Sequence, residues 1–144
     1  MKKSPKRATA GDERAPFVNM RFRIEIDGMT GTGATEVLFP EARLVSSTRG
    51  RQVVHYGTLT LVRGLTRSAE WYEWWERSRV GRGSLKRSVA VVLLDERGSD
   101  ANRWAFAGAQ PLAYTVSSLN ALGNEAMTES IELTVAGFKA QFAA

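Results

Sequence analysis

The sequence predicts a mainly β protein, in which two sheets pack as a sandwich or close into a barrel with one amphipathic α-helix on the flank. After Pro16, apolar and polar residues alternate along most of the chain, the pattern of half-buried strands. A single segment, ending near Arg79, has helical spacing of its apolar residues. Because one helix cannot cover two sheets, the sheets must cover each other or close on themselves.

Charge and composition divide the 144 residues into an arm, one domain and a short tail. The net charge is +5, and residues 1–14 hold five basic residues against two acidic ones, a net +3. Their Lys, Ser, Pro and Gly content is typical of disorder. We therefore expect residues 1–16 to form a flexible basic arm for solubility or docking rather than for DNA binding. Residues 17–140 form the single β domain and residues 141–144 a tail.

Several chemical classes are excluded by the residues that are missing. The chain has no cysteine and one histidine, His55, so a disulfide framework, a thiolate nucleophile and a multi-histidine metal site are ruled out. The longest apolar run, Val89 to Leu94, is far shorter than the roughly 20 residues of a membrane helix. We expect no membrane segment, and expect the chain to fold in the cytoplasm of the cell that makes it.

The first strands follow the arm. Apolar residues at 20, 22, 24 and 26 alternate with Arg21, Arg23, Glu25 and Asp27, which gives one core face and one fully charged face. Residues 34–47 alternate loosely and are interrupted by Pro40, which predicts a bent or edge strand. Residues 48–51, TRGR, are a turn.

A strand, a tight turn and the helix occupy residues 54–79. The strand covers residues 56–62 and Gly64 closes it, after which Thr66 or Ser68 can cap the helix. Three indoles then lie at i, i+3 and i+4: Trp71, Trp74 and Trp75. This stripe predicts a helix docked on a sheet, with the i,i+4 pair of Glu73 and Arg77 facing solvent.

The remaining chain predicts a central strand buried on both faces at residues 89–94, and then a hairpin. The return strand carries Trp104 and Phe106, and Gln110-Pro111 bends it before residues 112–116. A loop at residues 117–124 leads to the last strand, residues 127–135, where Glu129 falls on the apolar face and should be rim-exposed or paired. The total is six or seven strands.

No enzyme signature is present in the sequence. There is no nucleophile elbow, zinc-binding helix motif, P-loop or dinucleotide fingerprint. The carboxylate pairs Glu125/Glu129 and Asp95/Glu96 are better explained by turns and solvated edges than by acid–base chemistry. We therefore expect no catalytic residue, no cofactor and no metal, and a function that lies in assembly surfaces.

Five stretches resemble the tube protein of contractile tails, a family that includes phage tail tubes, the tubes of extracellular injection systems and, more distantly, the type VI secretion tube. They cover about residues 20–138 and are FRIEIDG at 22–28, YGTLTLVRGLTRSAEWYEWW at 56–75, VVLLDERG at 91–98, WAF at 104–106 and SLNALGNEA at 118–126 with ESIEL at 129–133.

The resemblance implies a mechanical function. In the family, six copies close edge to edge into a ring whose inner surface is a continuous β-barrel, and the rings stack into a tube inside a contractile sheath. The implied partners are other copies of the chain, the sheath protein, the spike or baseplate, and DNA or effectors in the lumen. The final location would be a phage tail or an injection particle, and the charged face of the first strand would line the lumen or an interface.

One departure from the family raises an alternative. The family's excursion between its second and third strands, which helps join rings, is reduced here to residues 44–54. Three hypotheses follow: a repeating tube subunit, a ring that initiates the tube at the spike, or a free-standing β-sandwich binding module. We expect hexameric rings that stack weakly. The candidate assembly residues are Arg21, Arg23, Glu25, Asp27, Arg49, Arg51, Glu125, Glu129 and Glu132.

Overall fold

The computed structural model describes residues 21–30, 33–81 and 85–143, and these contain nine strands and one helix. The predicted arm, residues 1–16, lies outside the described residues. The elements in chain order are β1 (Phe22–Ile26), β2 (Glu36–Leu38), β3 (Ala42–Ser46), β4 (Gln52–Tyr56), β5 (Leu59–Gly64), α1 (Glu70–Arg79), β6 (Arg87–Leu94), β7 (Asp100–Val116), β8 (Thr128–Thr134) and β9 (Gly137–Gln141).

Two antiparallel sheets share the long strand β7. The first half of β7 pairs with β6 and β9, and β6 pairs with β1, which gives a first sheet in the order β1-β6-β7-β9. The second half, Gln110–Val116, pairs with β8, which continues through β5 to β2 as the second sheet. Strands β3 and β4 pair with each other as a separate hairpin.

The backbone of β7 turns from one sheet to the other between Gly108 and Ala113. Gly108 has a φ of +62°, a conformation that residues with a Cβ adopt at a cost. The pairing with β8 shifts register between Pro111 and Ala113, which marks a bulge, and Pro111 has no N–H to donate to a ladder. These features let one strand leave the first sheet and enter the second.

The core lies between the two sheets and beneath the helix. It is formed by aliphatic and aromatic residues of β1, β5, β6, β7, β8 and α1. Its fully buried side chains include Ile24, Leu59, Leu61, Trp71, Trp74, Val89, Val91, Phe106, Ile131 and Leu133. On β6 the four residues Val89–Val92 are all buried, so this strand is covered on both faces as its continuous apolar sequence predicts. The fold is the mainly β, two-sheet arrangement that the sequence predicts.

Helix α1 docks through two of its three tryptophans. Trp71 and Trp74 are buried and Trp75 is half-buried, while Glu73 and Arg77 are exposed. The indole Nε1 of Trp74 donates a hydrogen bond to the carbonyl of Leu85 at 2.7 Å, which fixes the helix against the start of the next strand.

The helix start differs from the prediction. Ala69 occupies the N-cap position and no side chain caps the helix, so neither Thr66 nor Ser68 is the cap residue. Thr66 instead accepts a hydrogen bond from the Ser68 N–H at 3.2 Å, because a hydroxyl two residues before a backbone N–H readily forms such a turn. The ion pair seen on this helix joins Arg79 to Glu76 at 2.5 Å.

The predicted strand count of six or seven is wrong, since the described residues contain nine. The segment predicted as one bent strand is split at Pro40 into β2 and β3, because proline cannot donate to a ladder. The strand predicted over residues 56–62 is divided between β4 and β5. The chain beyond Val135 forms β9, whose pairing with β7 required knowledge of the tertiary structure.

We expect Trp71→Ala and Trp74→Ala each to lower the free energy of unfolding by about 3–5 kcal/mol, because each leaves a large cavity under the helix. Trp75→Ala should cost less, since its side chain is only half-buried. Urea denaturation measures all three, and Glu73→Ala on the exposed face is the control, with a change within about 0.5 kcal/mol. A loss below about 1 kcal/mol at both buried positions would contradict this docking.

Gly108→Ala should lower the free energy of unfolding by about 1–2 kcal/mol, the usual cost of a side chain at positive φ. A Cβ at position 108 would also lie 3.2 Å from the Cβ of Ala136. Gly64→Ala is the matched control, because no atom lies within 4 Å of a Cβ built there. Equal effects of the two substitutions on the denaturation midpoint would show that the bend does not depend on Gly108.

Candidate assembly surfaces

The first sheet has two open edges. Within the described residues β1 pairs only with β6, and β9 pairs only with β7. A strand with unpaired N–H and C=O groups is a template for another strand. Arg21, Arg23, Glu25 and Asp27 therefore lie on or beside an edge strand.

Charged side chains form a network on the face of the first sheet that points away from the core. Arg23 donates two hydrogen bonds to the carboxylate of Asp100 at 3.2 Å each and a third to Glu25 at 3.0 Å. Arg103 donates to the other oxygen of Glu25 at 2.8 Å. The network joins β1 to β7 across β6. Its side chains cover Val92 of β6, which lies on this face of the sheet and is nevertheless 0% exposed.

The pKa values of the network follow from these contacts. The hydrogen bond from Arg103, with help from Arg23, holds the pKa of Glu25 below its ordinary value. Arg23 lowers the pKa of Asp100 in the same way, and its own pKa is raised by Asp100 and then by Glu25. The network is thus ionised at neutral pH, with its charges opposed in pairs. Because its members are partly exposed, each pair contributes modestly to stability.

Beside the network runs an open groove of about 920 Å³. It is lined by small residues, among them Ala90, Ala105 and Ala107, and by the charged residues Glu25, Arg103 and Lys139. Both charge signs meet small apolar side chains here. The groove therefore offers a mixed-charge surface rather than a selective anion or cation site.

Glu129 is not on an assembly surface. It is 1% exposed, and it accepts hydrogen bonds from Arg63 at 2.7 Å and from the hydroxyl of Tyr114 at 2.5 Å. The Arg63 guanidinium lies 4.1 Å above the ring of Trp71. This buried cluster ties β5, β7 and β8 to α1, so its role is to position the helix. Because Glu129 is buried, its prediction as an assembly residue is wrong. Of the two alternatives predicted for it, rim-exposed or paired, the structure shows the paired one.

Glu132 also belongs to the interior of a sheet. It lies on β8, which is flanked by β7 and β5, and it accepts a hydrogen bond from Thr58 at 2.8 Å. The strand expected to be the last is therefore not an edge, because β7 and β5 flank it on both sides, and the edge strand β9 follows it in the first sheet. Glu125 is exposed in the loop between β7 and β8.

The β3–β4 hairpin presents apolar and basic side chains together. Leu44, Val53 and Val54 are exposed large hydrophobic residues, and Arg49 and Arg51 are exposed at the tip. An isolated two-stranded hairpin buries too little to be stable alone. Exposed apolar residues on such an arm are typical of a surface that contacts another protein.

The loop at residues 117–127 lies at the other end of β5. The hairpin leads into the start of β5, whereas the end of β5 meets this loop through a hydrogen bond from the Leu65 N–H to the Met127 carbonyl at 2.9 Å. Leu119 and Leu122 are 80% and 97% exposed here. The hairpin and the loop are thus two exposed apolar surfaces separated by the length of a strand.

The described residues contain neither a candidate metal-binding group nor a candidate membrane-spanning helix. In residues 21–30, 33–81 and 85–143, no group of three or more His, Cys, Asp or Glu side chains is placed to hold a metal ion. His55 is exposed on β4 opposite Arg43. No helix in the same ranges is long and apolar enough to cross a membrane.

The family is decided by the sequence match. The family described as T4-like virus tail tube protein gp19 matches residues 18–139, which is most of the chain. The chain belongs to this tail tube family. No curated protein matches the chain. Members of the family are structural tail tube proteins and not enzymes, so the search for function in this tail tube protein is a search for assembly surfaces.

Solved structures share the fold. The anti-feeding prophage tube-terminating cap is 20% identical over 90% of this chain and 93% of that one, with a TM-score of 0.69. The sheath/tube terminator of PVC, an extracellular contractile injection system, is 17% identical over 90% and 99%, also at 0.69. Hcp1 from Flavobacterium johnsoniae is 14% identical over 85% and 95%, with a TM-score of 0.63.

Four features of this tail tube protein's surface escaped the sequence analysis: Asp100, Arg103, Lys139 and the edge strand β9. Arg103 alternates with Trp104 and Phe106, so its outward position was available from the pattern. Its contact with Glu25 was not, because the two residues lie 78 positions apart in the chain. Pairing between distant strands is decided only by the fold.

The buried cluster predicts a pH dependence at the alkaline end. Burial, and then the hydrogen bond to Glu129, raises the pKa of Tyr114 to about 12, whereas in the unfolded chain it is near 10. Between about pH 10 and 12 the unfolded chain loses this proton and the folded chain keeps it, so the contribution of Tyr114 to stability is full below pH 10 and is lost as the pH rises to 12.

The Tyr114→Phe variant has no hydroxyl at this position and therefore no proton to lose between about pH 10 and 12. The difference in free energy of unfolding between the parent protein and the variant should therefore shrink across the same pH range in urea titrations. A difference that stays constant with pH would contradict the buried hydroxyl–carboxylate contact.

Proposed function

We propose that this protein is a structural subunit of the inner tube of a contractile tail or injection system, and that its copies form closed rings through the edges of the first sheet. The observation that carries this proposal is the direction of the two open edges. Each neighbouring pair in the order β1-β6-β7-β9 is antiparallel, so β1 and β9 run in opposite directions.

Rotation about a ring axis preserves the direction of every strand along that axis. Strand β9 of one copy and β1 of the next therefore meet as an antiparallel pair, the commoner and slightly more stable kind. Every copy uses the same two edges, so the contact is heterologous and closes if the rotation closes. Closure satisfies the open backbone groups of both edge strands, which removes the hazard of a free sheet edge.

The charged face of the first sheet would then line the lumen. Its opposite face packs against the second sheet and α1, which places those elements outside the ring. Barrels of about 16–18 strands already enclose an aqueous channel. Six copies of a four-stranded sheet therefore leave room for DNA or protein effectors to pass. The lumen residues on this proposal are Arg21, Arg23, Glu25, Asp27, Arg103 and Lys139.

Stacking of rings would use the β3–β4 hairpin and the loop at residues 117–127. The hairpin tip carries Arg49 and Arg51, while the loop carries Glu125 and no basic residue. Both surfaces expose leucines, and they lie at opposite ends of β5. Opposite charge and exposed apolar side chains on two separate patches support a head-to-tail contact between rings.

A ring at one end of the tube is the second candidate. The hairpin strands have five residues each, which gives a short arm for contact with a neighbouring ring. Two of the similar structures are described as a tube-terminating cap and a sheath/tube terminator. An adaptor that joins the tube to the spike, baseplate or sheath end requires fewer ring-to-ring contacts than a repeating subunit. On either candidate the sheath protein and the baseplate are the expected partners.

Purified protein should form closed rings, because both edges of the first sheet remain open in a single copy, and six copies a ring is the number that the family resemblance implies. Sedimentation velocity counts the copies and negative-stain microscopy shows the rings. A repeating tube subunit would give stacked tubes at high concentration, whereas an end ring would remain as single or paired rings. A strict monomer, even with sheath and spike partners added, would contradict the proposed function.

Arg49→Glu combined with Arg51→Glu should shorten or abolish stacks while rings persist, because both basic side chains at the hairpin tip are reversed. Arg77→Glu, on the exposed face of α1, is the control and should leave stacking unchanged. Adding Glu125→Arg should restore stacking in part if the hairpin meets the loop of the next ring. Stack lengths in micrographs that do not change would show that the hairpin faces another partner.

A further inference from the structure

Beyond the end of β9, the chain exposes an aromatic side chain that the fold holds in place. Phe142 is 65% exposed, yet its ring lies 5.8 Å from the ring of Trp104 in an edge-on contact. The next residue, Ala143, donates its N–H to the side-chain oxygen of Asn102 at 3.1 Å. The segment predicted as a tail therefore continues along β7 and presents Phe142 at the open edge of the first sheet.

The pairing registers place a second phenylalanine at the same level on the other edge. Arg23 pairs with Val92, Val92 with Arg103, and Arg103 with Gln141, so these four residues form one row across the sheet. Phe22 precedes Arg23 and Phe142 follows Gln141. Because β1 and β9 run in opposite directions, both phenylalanines lie on the same side of this row.

Both phenylalanines also lie on the core side of the sheet. Phe22 packs against the core cluster, and Phe142 contacts Trp104, which packs against it too. At each open edge of the first sheet a phenylalanine therefore lies on the core-side face, one residue to the same side of this shared row.

We infer that Phe142 of one copy packs against the core-facing side of β1 in the next copy, around Phe22, and that this contact carries the hydrophobic core across the boundary between subunits. This contact is called the aromatic seam. It rests on the proposed ring, since it uses the same edges, and it adds the side chains that make those edges adhere.

A second copy of the chain is the occupant that fits this patch. The partner strand must run antiparallel to β9 and carry apolar side chains on the core face, and β1 meets both requirements. Phe39 widens the patch, because it is exposed and its ring lies 5.0 Å from that of Trp104. A large aromatic side chain that is exposed in the free subunit and buried on assembly is typical of the anchor residues of interfaces.

The aromatic seam also explains how the register between copies is specified. Alternation along a strand places charged residues on one face and apolar residues on the other, so a slip of one residue would bring Phe142 to the face of Arg23 and Glu25. The apolar side of the edge thus rejects the wrong register.

The first test removes the ring of Phe142. In Phe142→Ala the concentration needed for ring formation should rise about tenfold or more, the effect expected of an anchor residue, while the melting temperature of the dilute monomer stays unchanged. Leu112→Ala is the matched control, because Leu112 is an exposed hydrophobic residue on the second half of β7, away from both edges. Its rings should form at the parent concentration.

The second test uses the absence of cysteine in the parent chain. A protein carrying Phe22→Cys and Phe142→Cys should give covalent ladders up to the closed ring with a short thiol-specific cross-linker, which tolerates a shift of a residue or two along the strand. The control carries Phe142→Cys with Leu122→Cys, an exposed position in the loop beyond the far end of β7, and should stay uncoupled. Because truncating Phe22 affects packing, Phe142→Glu alone provides a variant that keeps β1 intact and should block rings.

The outcomes separate the aromatic seam from the proposed function. If the parent chain forms no rings, both fail together. If rings form but Phe142→Ala and Phe142→Glu assemble normally, or if cross-links join residues 122 and 142 and not 22 and 142, the aromatic seam is wrong and the ring proposal stands. A melting temperature of the monomer that falls in Phe142→Ala, with assembly unchanged, would show that Phe142 is covered by residues of its own chain and would also overturn the inference.

Discussion

The bend in β7 is the constraint on which the rest of the structure depends. One strand of 17 residues supplies the centre of the first sheet with its first half and the edge of the second sheet with its second half. Gly108 and Pro111 permit the turn, since one tolerates positive φ and the other has no ladder donor to lose. Because the two sheets share a strand, their faces are brought together and the core between them follows.

The position of the helix follows from that arrangement. Once β7 brings β5 and β8 beside it, Arg63, Glu129 and Tyr114 meet beneath Trp71. A buried ion pair with a hydroxyl donor has little tolerance for displacement, since a broken contact leaves a charge without water. The cluster therefore helps to hold α1 over the second sheet, together with the hydrogen bond of Trp74 to Leu85.

As a consequence, the two faces and the two edges of the first sheet have different surroundings. The second sheet and α1 cover one face of the first sheet, and the charged network occupies the other. Its edges β1 and β9 are unpaired on their outer sides within the described residues, while the hairpin and the loop at residues 117–127 lie at opposite ends of β5. Members of the tail tube family are structural proteins, which agrees with a function carried by contacts between protein surfaces.

The sequence by itself determined the mainly β class, the single helix and its tryptophan face, and the doubly buried strand β6. Each of these follows from the spacing of apolar residues within one segment, which can be seen without knowing what that segment packs against. Only the tertiary structure decided that β8 is interior, that Glu129 is buried under the helix, and that β9 and Phe142 form an edge. Those features depend on which distant strands pair, and strand pairing is selected by the packing of the whole core rather than by neighbouring residues.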